Sequence, residues 1–146
     1  MRLIIYIVLI FLYSFAEGFV CFAQNVKNAK QYVRNADLEL YNNNFQSAFD
    51  LYRKAYESDT TNPQIAFKLA SCMYNMKKYK PQSLSYFEKS QRAGIAEANY
   101  FLGNLYHLNG NFEKAILTFQ EYKNISDKRK YRNSEIDTLL SKSRIA

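Results

Sequence analysis

The side chains best suited to chemistry in this sequence are one histidine, His107, and two cysteines, Cys21 and Cys72. A zinc site needs three or four ligands, and a nucleophilic enzyme needs a base and an oxyanion donor beside its nucleophile. His107 and Cys72 lie far apart in the sequence, and the acidic residues are scattered. No glycine-rich segment has the spacing of a phosphate-binding loop. We therefore expect no metal, no cofactor and no enzymatic activity, with Cys72 an inert core thiol.

The composition favours a helical protein with a packed core. The chain has 146 residues, of which 48% are hydrophobic, 23% charged and 16% aromatic, with a net charge of +7. These values suit a single globular domain and argue against disorder. Only four glycines and two prolines are present. An all-β protein needs turn residues far more often, so we expect an all-α fold.

The first residues form a segment of a different kind. An apolar run, Leu3–Phe15, follows the positive start Met1-Arg2, and the small residues Cys21 and Ala23 follow it at a small-x-small spacing. This pattern is typical of a secretory signal peptide. We therefore predict a signal peptide over residues 1–23 and an exported protein, periplasmic or associated with the cell envelope.

Two alternatives apply to the same segment. An uncleaved anchor is the first, because Leu3–Ala23 nearly reaches the ~20 residues that cross a bilayer; Glu17 and Gly18 inside the run argue against it. A lipid attached to Cys21 is the second. Val20 precedes that cysteine where lipoprotein signals have a small residue, so we do not favour it.

Cleavage would change the cysteine count but not the charge balance. It removes one cation, Arg2, and one anion, Glu17, so the net charge stays at +7. It also removes Cys21, which leaves Cys72 as the only cysteine. No intramolecular disulfide can then form, and packing alone must stabilise the exported fold.

The elements that position the remaining residues are helical hairpins. Between Ala96 and Lys123, two apolar-periodic runs flank the turn Asn109-Gly110-Asn111. Small residues alternate with large ones where two helices would cross: Leu102, Gly103, Tyr106, Phe112, Ala115 and Phe119. Close packing of helices requires such an alternation. A second turn, Asn42-Asn43-Asn44, precedes another run of this kind.

The hairpins recur with a period near 34 residues. Ala36 to Ala70 is 34 residues and Ala70 to Gly103 is 33, while Tyr52 to Phe87 is 35 and Phe87 to Phe119 is 32. Two helices at this period resemble the tetratricopeptide repeat (TPR). The resemblance implies an all-α, TPR-type α-solenoid of three helical hairpins. Within residues 24–126 the repeats are predicted at 30–62, 63–95 and 96–124, followed by a basic C-terminal capping helix at 127–146.

The three repeats match the TPR pattern unequally. The third fills almost every signature position, whereas in the second Ser83 and Ser90 replace alanine. In the first repeat Asn35 stands where the family prefers leucine, and Glu39 where it prefers tyrosine. An atypical terminal repeat is expected of such arrays.

In proteins of this family, the first helix of each repeat lines a concave groove that binds a peptide or protein. Carried over by position, the groove residues are Leu40, Tyr41, Phe67, Ser71, Tyr74, Asn75, Tyr100, Asn104, His107 and Leu108. Aromatic side chains offer area and amides can bond a peptide backbone. The alternative is that Phe67 and Tyr100 simply pack on neighbouring helices. Val33 and Asp37 replace the Lys and Asn that clamp a C-terminal carboxylate in one TPR subtype.

Two functional hypotheses follow. The first is an exported, non-enzymatic interaction module with a protein or peptide partner. The second is a structural N-terminal segment of a larger envelope protein without a ligand of its own. It draws on a resemblance to exported bacterial TPR proteins with an OmpA-like peptidoglycan-binding domain, some associated with gliding or type IX secretion. That resemblance implies association with the outer membrane or peptidoglycan. Export makes nucleic acid an unsuitable partner despite the basic surplus, and the downstream reading frame separates the hypotheses.

The predicted cleavage site can be tested directly. Intact-mass analysis of the exported protein should give an N-terminus at Gln24, because Cys21 and Ala23 satisfy the signal peptidase. A mature species that keeps Leu3–Phe15 would instead establish an uncleaved anchor.

Overall fold

The computed structural model describes residues 2–76, 80–126 and 133–145. Within α1 it describes only the side chains of Tyr6, Val20 and residues from 23 onward. Over these ranges the chain forms seven α-helices and no strand: α1 Arg2–Tyr41, α2 Phe45–Ser58, α3 Pro63–Asn75, α4 Ser83–Arg92, α5 Ala98–Leu108, α6 Phe112–Ser126 and α7 Asn133–Ile145. The predicted C-terminal capping segment has a basic stretch before α7. This stretch, residues 128–132, lies outside the described residues.

The chain divides into two compact units, Met1–Thr60 and Thr61–Ala146. In the first, α1 and α2 pack against each other and bury small residues and one large ring: Ala29, Ala36, Ala48, Tyr52 and Ala55. The hydroxyl of Tyr52 donates to Asp37 Oδ1 at 2.5 Å. This hydrogen bond joins the two helices across the hairpin.

The first helix is much longer than the sequence pattern indicates. Periodicity begins near Tyr32, whereas α1 begins at Arg2. The reason is that periodicity marks the part of a helix that packs on a neighbour. The run Leu3–Phe15 is apolar on all sides and therefore shows no period. No helix among the described residues combines the length and hydropathy needed to cross a membrane.

Three helices end in the same Schellman motif, with a left-handed residue just after the helix. The residues at this position are Asn43, Gly94 and Gly110, with φ of 61°, 86° and 73°. In the third hairpin the amide of Asn111 donates to Tyr106 O at 2.9 Å, and that of Gly110 donates to His107 O at 3.0 Å. The same pair of bonds follows α1 and α4. The two Asn-rich turns predicted from sequence thus form helix stops.

The structure of the second hairpin shows why serine is accepted at its two departures from the TPR pattern, Ser83 and Ser90. Asn62 caps α3 by accepting from the amides of Gln64 and Ile65. The fully buried Ser90 Oγ lies 3.1 Å from Pro63 O and 2.8 Å from Tyr86 O. The fully buried Ser83 Oγ donates to Lys80 O. A buried hydroxyl is tolerated at each alanine position because it has a carbonyl partner.

Among the described residues of the second unit, buried side chains form two clusters. One lies where α3, α4 and α5 meet: Ala70, Phe87, Ala98, Leu102 and Leu105. The other joins α6 to α7: Ala115, Phe119, Ile136 and Leu140. The last helix therefore buries an apolar surface of the third hairpin, as the capping prediction requires. The repeat boundaries stay a prediction, because helix bounds alone do not define a repeat.

Helices α5 and α6 approach each other closely at Gly103. A Cβ atom at this position would lie less than 3.0 Å from three ring carbons of Phe119. The ring of Phe119 is fully buried, so it has little room to move. Gly103 therefore allows the α5–α6 crossing by lacking a side chain. Gly110 differs, since nothing lies within 4 Å of its Cβ position and only its φ of 73° favours glycine.

These two glycines provide a matched pair of alanine substitutions. Gly103→Ala should lower the free energy of unfolding by roughly 1–3 kcal/mol through overpacking, and Gly110→Ala by about 1 kcal/mol through the left-handed backbone. In a Phe119→Leu background, Gly103→Ala should lower the free energy of unfolding by less than it does in the wild type. Gly110→Ala should lower it by the same amount in both backgrounds. Urea denaturation of five variants measures this coupling: the two glycine variants, Phe119→Leu alone and the two double variants. Purely additive effects of Gly103→Ala and Phe119→Leu would contradict the crossing geometry.

Candidate functional site

Eight of the ten predicted groove residues lie on α3 and α5, the first helices of the hairpins in the second unit. None of them is fully buried. Asn75 and Leu108 are exposed, and six are half-buried: Phe67, Ser71, Tyr74, Tyr100, Asn104 and His107. The remaining two, the half-buried Leu40 and the exposed Tyr41, lie at the end of α1 in the first unit. The geometry below is that of α3 and α5.

An aromatic cluster holds the predicted groove aromatics in place, and Phe101 is its centre. The rings of Phe101 and Phe87 stack at 4.7 Å between centroids with an interplanar angle of 4°. Phe67, Tyr74 and Tyr100 contact Phe101 edge-on, at 5.9, 5.2 and 5.4 Å. Edge-to-face contacts of this kind stabilise ring pairs beyond their buried area. The alternative considered for Phe67 and Tyr100, packing on neighbouring helices, thus describes part of their role.

Sequence reasoning missed Phe101. The signal for it was the unbroken run Tyr100-Phe101-Leu102, which is apolar on more than one side of α5. A helix with this pattern must contact neighbours on two sides. Phe101 is half-buried and packs against the cluster that contains Phe87 and Leu102.

The polar groove residues bond mainly to their own helices. Ser71 Oγ donates to Phe67 O at 2.9 Å, and Asn104 Nδ2 donates to Tyr100 O at 2.8 Å. An asparagine side chain has two N–H donors and one acceptor oxygen. No described residue bonds to Asn104 Oδ1. Asn104 is therefore held in one orientation with its amide oxygen available to a ligand.

The last helix contacts two of the predicted groove residues. Tyr100 Oη donates to Glu135 Oε1 at 2.8 Å, and His107 Nδ1 lies 2.9 Å from Ser143 Oγ. Ser143 is buried, and its hydroxyl donates to Leu139 O at 3.0 Å. The Nδ1 of His107 must then be the donor in its bond to Ser143. The prediction of a capping helix did not include these two contacts. They fix the edges of the Tyr100 and His107 rings that face α7.

The thiol of Cys72, in the second unit, has the environment of a core residue. Cys72 is buried in α3, and this burial raises the pKa of its thiol to about 11. At neutral pH it is protonated and therefore a poor nucleophile. Among the residues that the structure describes, no three or more His, Cys, Asp or Glu side chains are grouped so as to hold a metal ion.

The sequence matches no protein-family model and no curated protein. Among solved structures, it is similar to the first TPR of Spaghetti (RPAP3) bound to the HSP90 peptide SRMEEVD. The identity is 17% over 82% of this chain and 92% of that chain, with a TM-score of 0.69. It is also similar to YrrB, described as a TPR protein with an unusual peptide-binding site. The identity is 20% over 84% of this chain and 63% of the YrrB chain, with a TM-score of 0.66.

This chain has the TPR fold. The predicted fold class, an all-α TPR-type α-solenoid, is confirmed. At these identities the likeness concerns the fold alone. Phe67, Tyr74, Tyr100 and Asn104 therefore remain predicted ligand contacts, with the positions given above.

A tyrosine beneath this aromatic surface joins α4 to α5. Tyr106 Oη donates to Glu88 Oε1 at 2.9 Å, and Glu88 lies 3.5 Å from Arg92. Burial, and then the bond to Glu88, raise the pKa of Tyr106 to about 12 from a usual 10.0. The folded state therefore holds this proton more tightly than the unfolded state.

The Tyr106 contribution to stability should depend on pH. It is fully present below pH 10 and is lost as the pH rises towards about 12, because only the unfolded state ionises easily in that interval. The difference in unfolding free energy between wild type and Tyr106→Phe should therefore shrink from pH 9 to pH 12. The comparison cancels titration of all other groups. A difference that is constant over this range would mean that neither burial nor the Glu88 bond raises the pKa of Tyr106 in the folded state.

Proposed function

We propose that this chain is an exported, non-enzymatic interaction module that binds a peptide or protein segment along α3 and α5. The observation that carries the proposal is a set of four half-buried rings, Phe67, Tyr74, Tyr100 and His107, on the same two helices as the half-buried Asn104. Interior contacts fix these rings, yet each keeps part of its surface exposed. Rigid aromatic area combined with an available amide oxygen suits an extended peptide.

Similar structures support a peptide as the ligand class. One of them was solved bound to the peptide SRMEEVD, and the other has an unusual peptide-binding site. The sequence argues against the carboxylate-clamp subtype, because Asp37 would repel a C-terminal carboxylate. The Tyr52 hydroxyl holds Asp37 in place. The proposed partner therefore contributes side chains and internal backbone rather than a free C-terminus.

Export belongs to the same proposal and rests on the sequence of residues 1–23. The apolar run and the Cys21-Phe22-Ala23 site would direct the chain out of the cytoplasm. An exported protein meets few nucleic acids, and the groove residues include no Lys or Arg. The proposed partner is accordingly a protein or peptide of the envelope.

Random-peptide phage display against the full chain, followed by titration of the enriched peptides, tests the proposal. Variants should alter only side chains that do not support the core. We expect Leu108→Glu and Asn104→Ala each to weaken a selected peptide about tenfold, since a central interface contact commonly contributes more than 1 kcal/mol. Truncating Phe67 or Tyr100 would be less informative, because both rings also stabilise the fold.

Leu117→Glu is the matched control for Leu108→Glu. Leu117 lies on α6 of the same hairpin, and the two leucines are 61% and 62% exposed. This variant should bind every selected peptide as wild type does, and SRMEEVD should not bind at all. If Leu117→Glu weakens binding as strongly as Leu108→Glu, the ligand does not lie along α5. If SRMEEVD binds tightly, the chain acts as a carboxylate clamp.

A further inference from the structure

One face of α1 is exposed from Val20 to the end of the helix. Val20, Lys27, Arg34 and Tyr41 follow one another at intervals of seven residues, or two helical turns, so their side chains share one side of α1. All four are exposed. The opposite side carries Ala29 and Ala36, which are buried. We call the exposed side the α1 stripe and add Lys30, Gln31, Asn35 and Leu38, which are exposed on the same side.

The centre of the α1 stripe is a cationic surface. An open depression of about 490 Å³ is lined by Lys27, Lys30, Gln31, Arg34 and Asn35. No acidic residue occurs between Gln24 and Ala36. The three cations form no ion pair with any carboxylate in the part of the chain that the structure describes. Their charge is therefore available to an anionic partner.

The nearest acidic residues along α1 form no ion pair with these three cations. Asp37 Oδ1 accepts from the Tyr52 hydroxyl, and Glu39 Oε2 accepts from Asn44 Nδ2 at 2.9 Å. Both carboxylates thus bond towards the α1–α2 hairpin. Beside the cations the α1 stripe also exposes apolar side chains: Val20 is 67% exposed, Leu38 57% and Tyr41 86%.

These features together identify the class of partner. Cations alone would suit any polyanion, but the α1 stripe also exposes the apolar side chains of Leu38 and Tyr41, which follow position 23 and remain after cleavage. Clustered cations next to apolar anchors are the two-part signal for an anionic membrane surface. A nucleic acid or an acidic protein would contact the cations and leave the apolar anchors without a role. Aromatic side chains such as Tyr41 are favoured at the level of lipid headgroups.

We infer that the α1 stripe binds the surface of a bilayer that contains anionic lipids, with Lys27, Lys30 and Arg34 facing the headgroup phosphates. Leu38 and Tyr41 contact the apolar side of the same interface. All five residues follow position 23, so they remain in the chain after signal cleavage. This surface shares no residue with the predicted groove residues of α3 and α5, and the variants that test the two have no residue in common.

Co-sedimentation of the full chain with vesicles tests the inference. The probes are vesicles of phosphatidylglycerol and phosphatidylcholine in a ratio of about 1:3, and vesicles of phosphatidylcholine alone. We expect a preference for the anionic vesicles of about a hundredfold, since three cations act near the surface. It should fall strongly at about 0.5 M salt. The variant Lys27→Gln/Lys30→Gln/Arg34→Gln should lose the preference and keep its binding to phosphatidylcholine.

The matched control removes the same charge from elsewhere. Lys54→Gln/Lys142→Gln/Arg144→Gln changes three exposed cations outside the α1 stripe and lowers the net charge equally. It should keep the full preference for anionic vesicles. An equal loss in both variants would show that only net charge matters and would overturn the inference. So would equal binding to both vesicle types together with stripe-dependent binding to heparin or duplex DNA, which would assign the stripe to another polyanion.

Discussion

The second unit depends on one steric constraint, the approach of the Phe119 ring to the backbone at Gly103. Because glycine has no Cβ, the ring fills the space where α5 and α6 cross. The same ring belongs to the cluster with Ala115, Ile136 and Leu140, so its position determines where α7 packs. Helix α7 in turn brings Glu135 and Ser143 to Tyr100 and His107. A single absent methyl group on α5 thus influences, through α6 and α7, two groove residues on its own helix.

The predicted groove is built from side chains that also belong to the interior. Phe67, Tyr74 and Tyr100 each pack against Phe101, and each keeps part of its surface exposed. A ring held in this way has already lost its rotamer freedom on folding, so a ligand does not incur that entropic cost again. Core packing and preorganisation of the site are therefore the same interactions. For this reason, truncating one of these aromatic residues would affect the core and the groove together and could not distinguish the two roles.

Much of the fold could be predicted from local chemistry. The Asn43 and Gly110 turns, the Asn62-Pro63 helix start and the small-large crossing at Gly103 depend on neighbours in sequence or on a fixed period. The sequence could not show that α7 reaches Tyr100 and His107, because that contact joins residues some 35 positions apart without a repeat to align them. The extension of α1 to Arg2 was also missed, since the sequence of Leu3–Phe15 is apolar at nearly every position and shows no periodicity. In the sequence, Ser90 is a departure from the alanine of the TPR pattern. Its carbonyl partners, which make the serine acceptable, are seen only in the structure.

The charges of the chain are distributed so that its two candidate surfaces select partners differently. The groove residues on α3 and α5 include no acidic residue, Lys or Arg, so long-range attraction contributes little there and selection depends on shape and on the Asn104 amide. The α1 stripe has the opposite character, with three cations that form no ion pair with a described carboxylate and an open depression that imposes little shape. Electrostatic attraction chiefly sets encounter and orientation, whereas buried contacts set residence time. The α1 stripe is therefore suited to fast, salt-dependent positioning of the chain, and the groove to slower, salt-tolerant recognition of a particular segment.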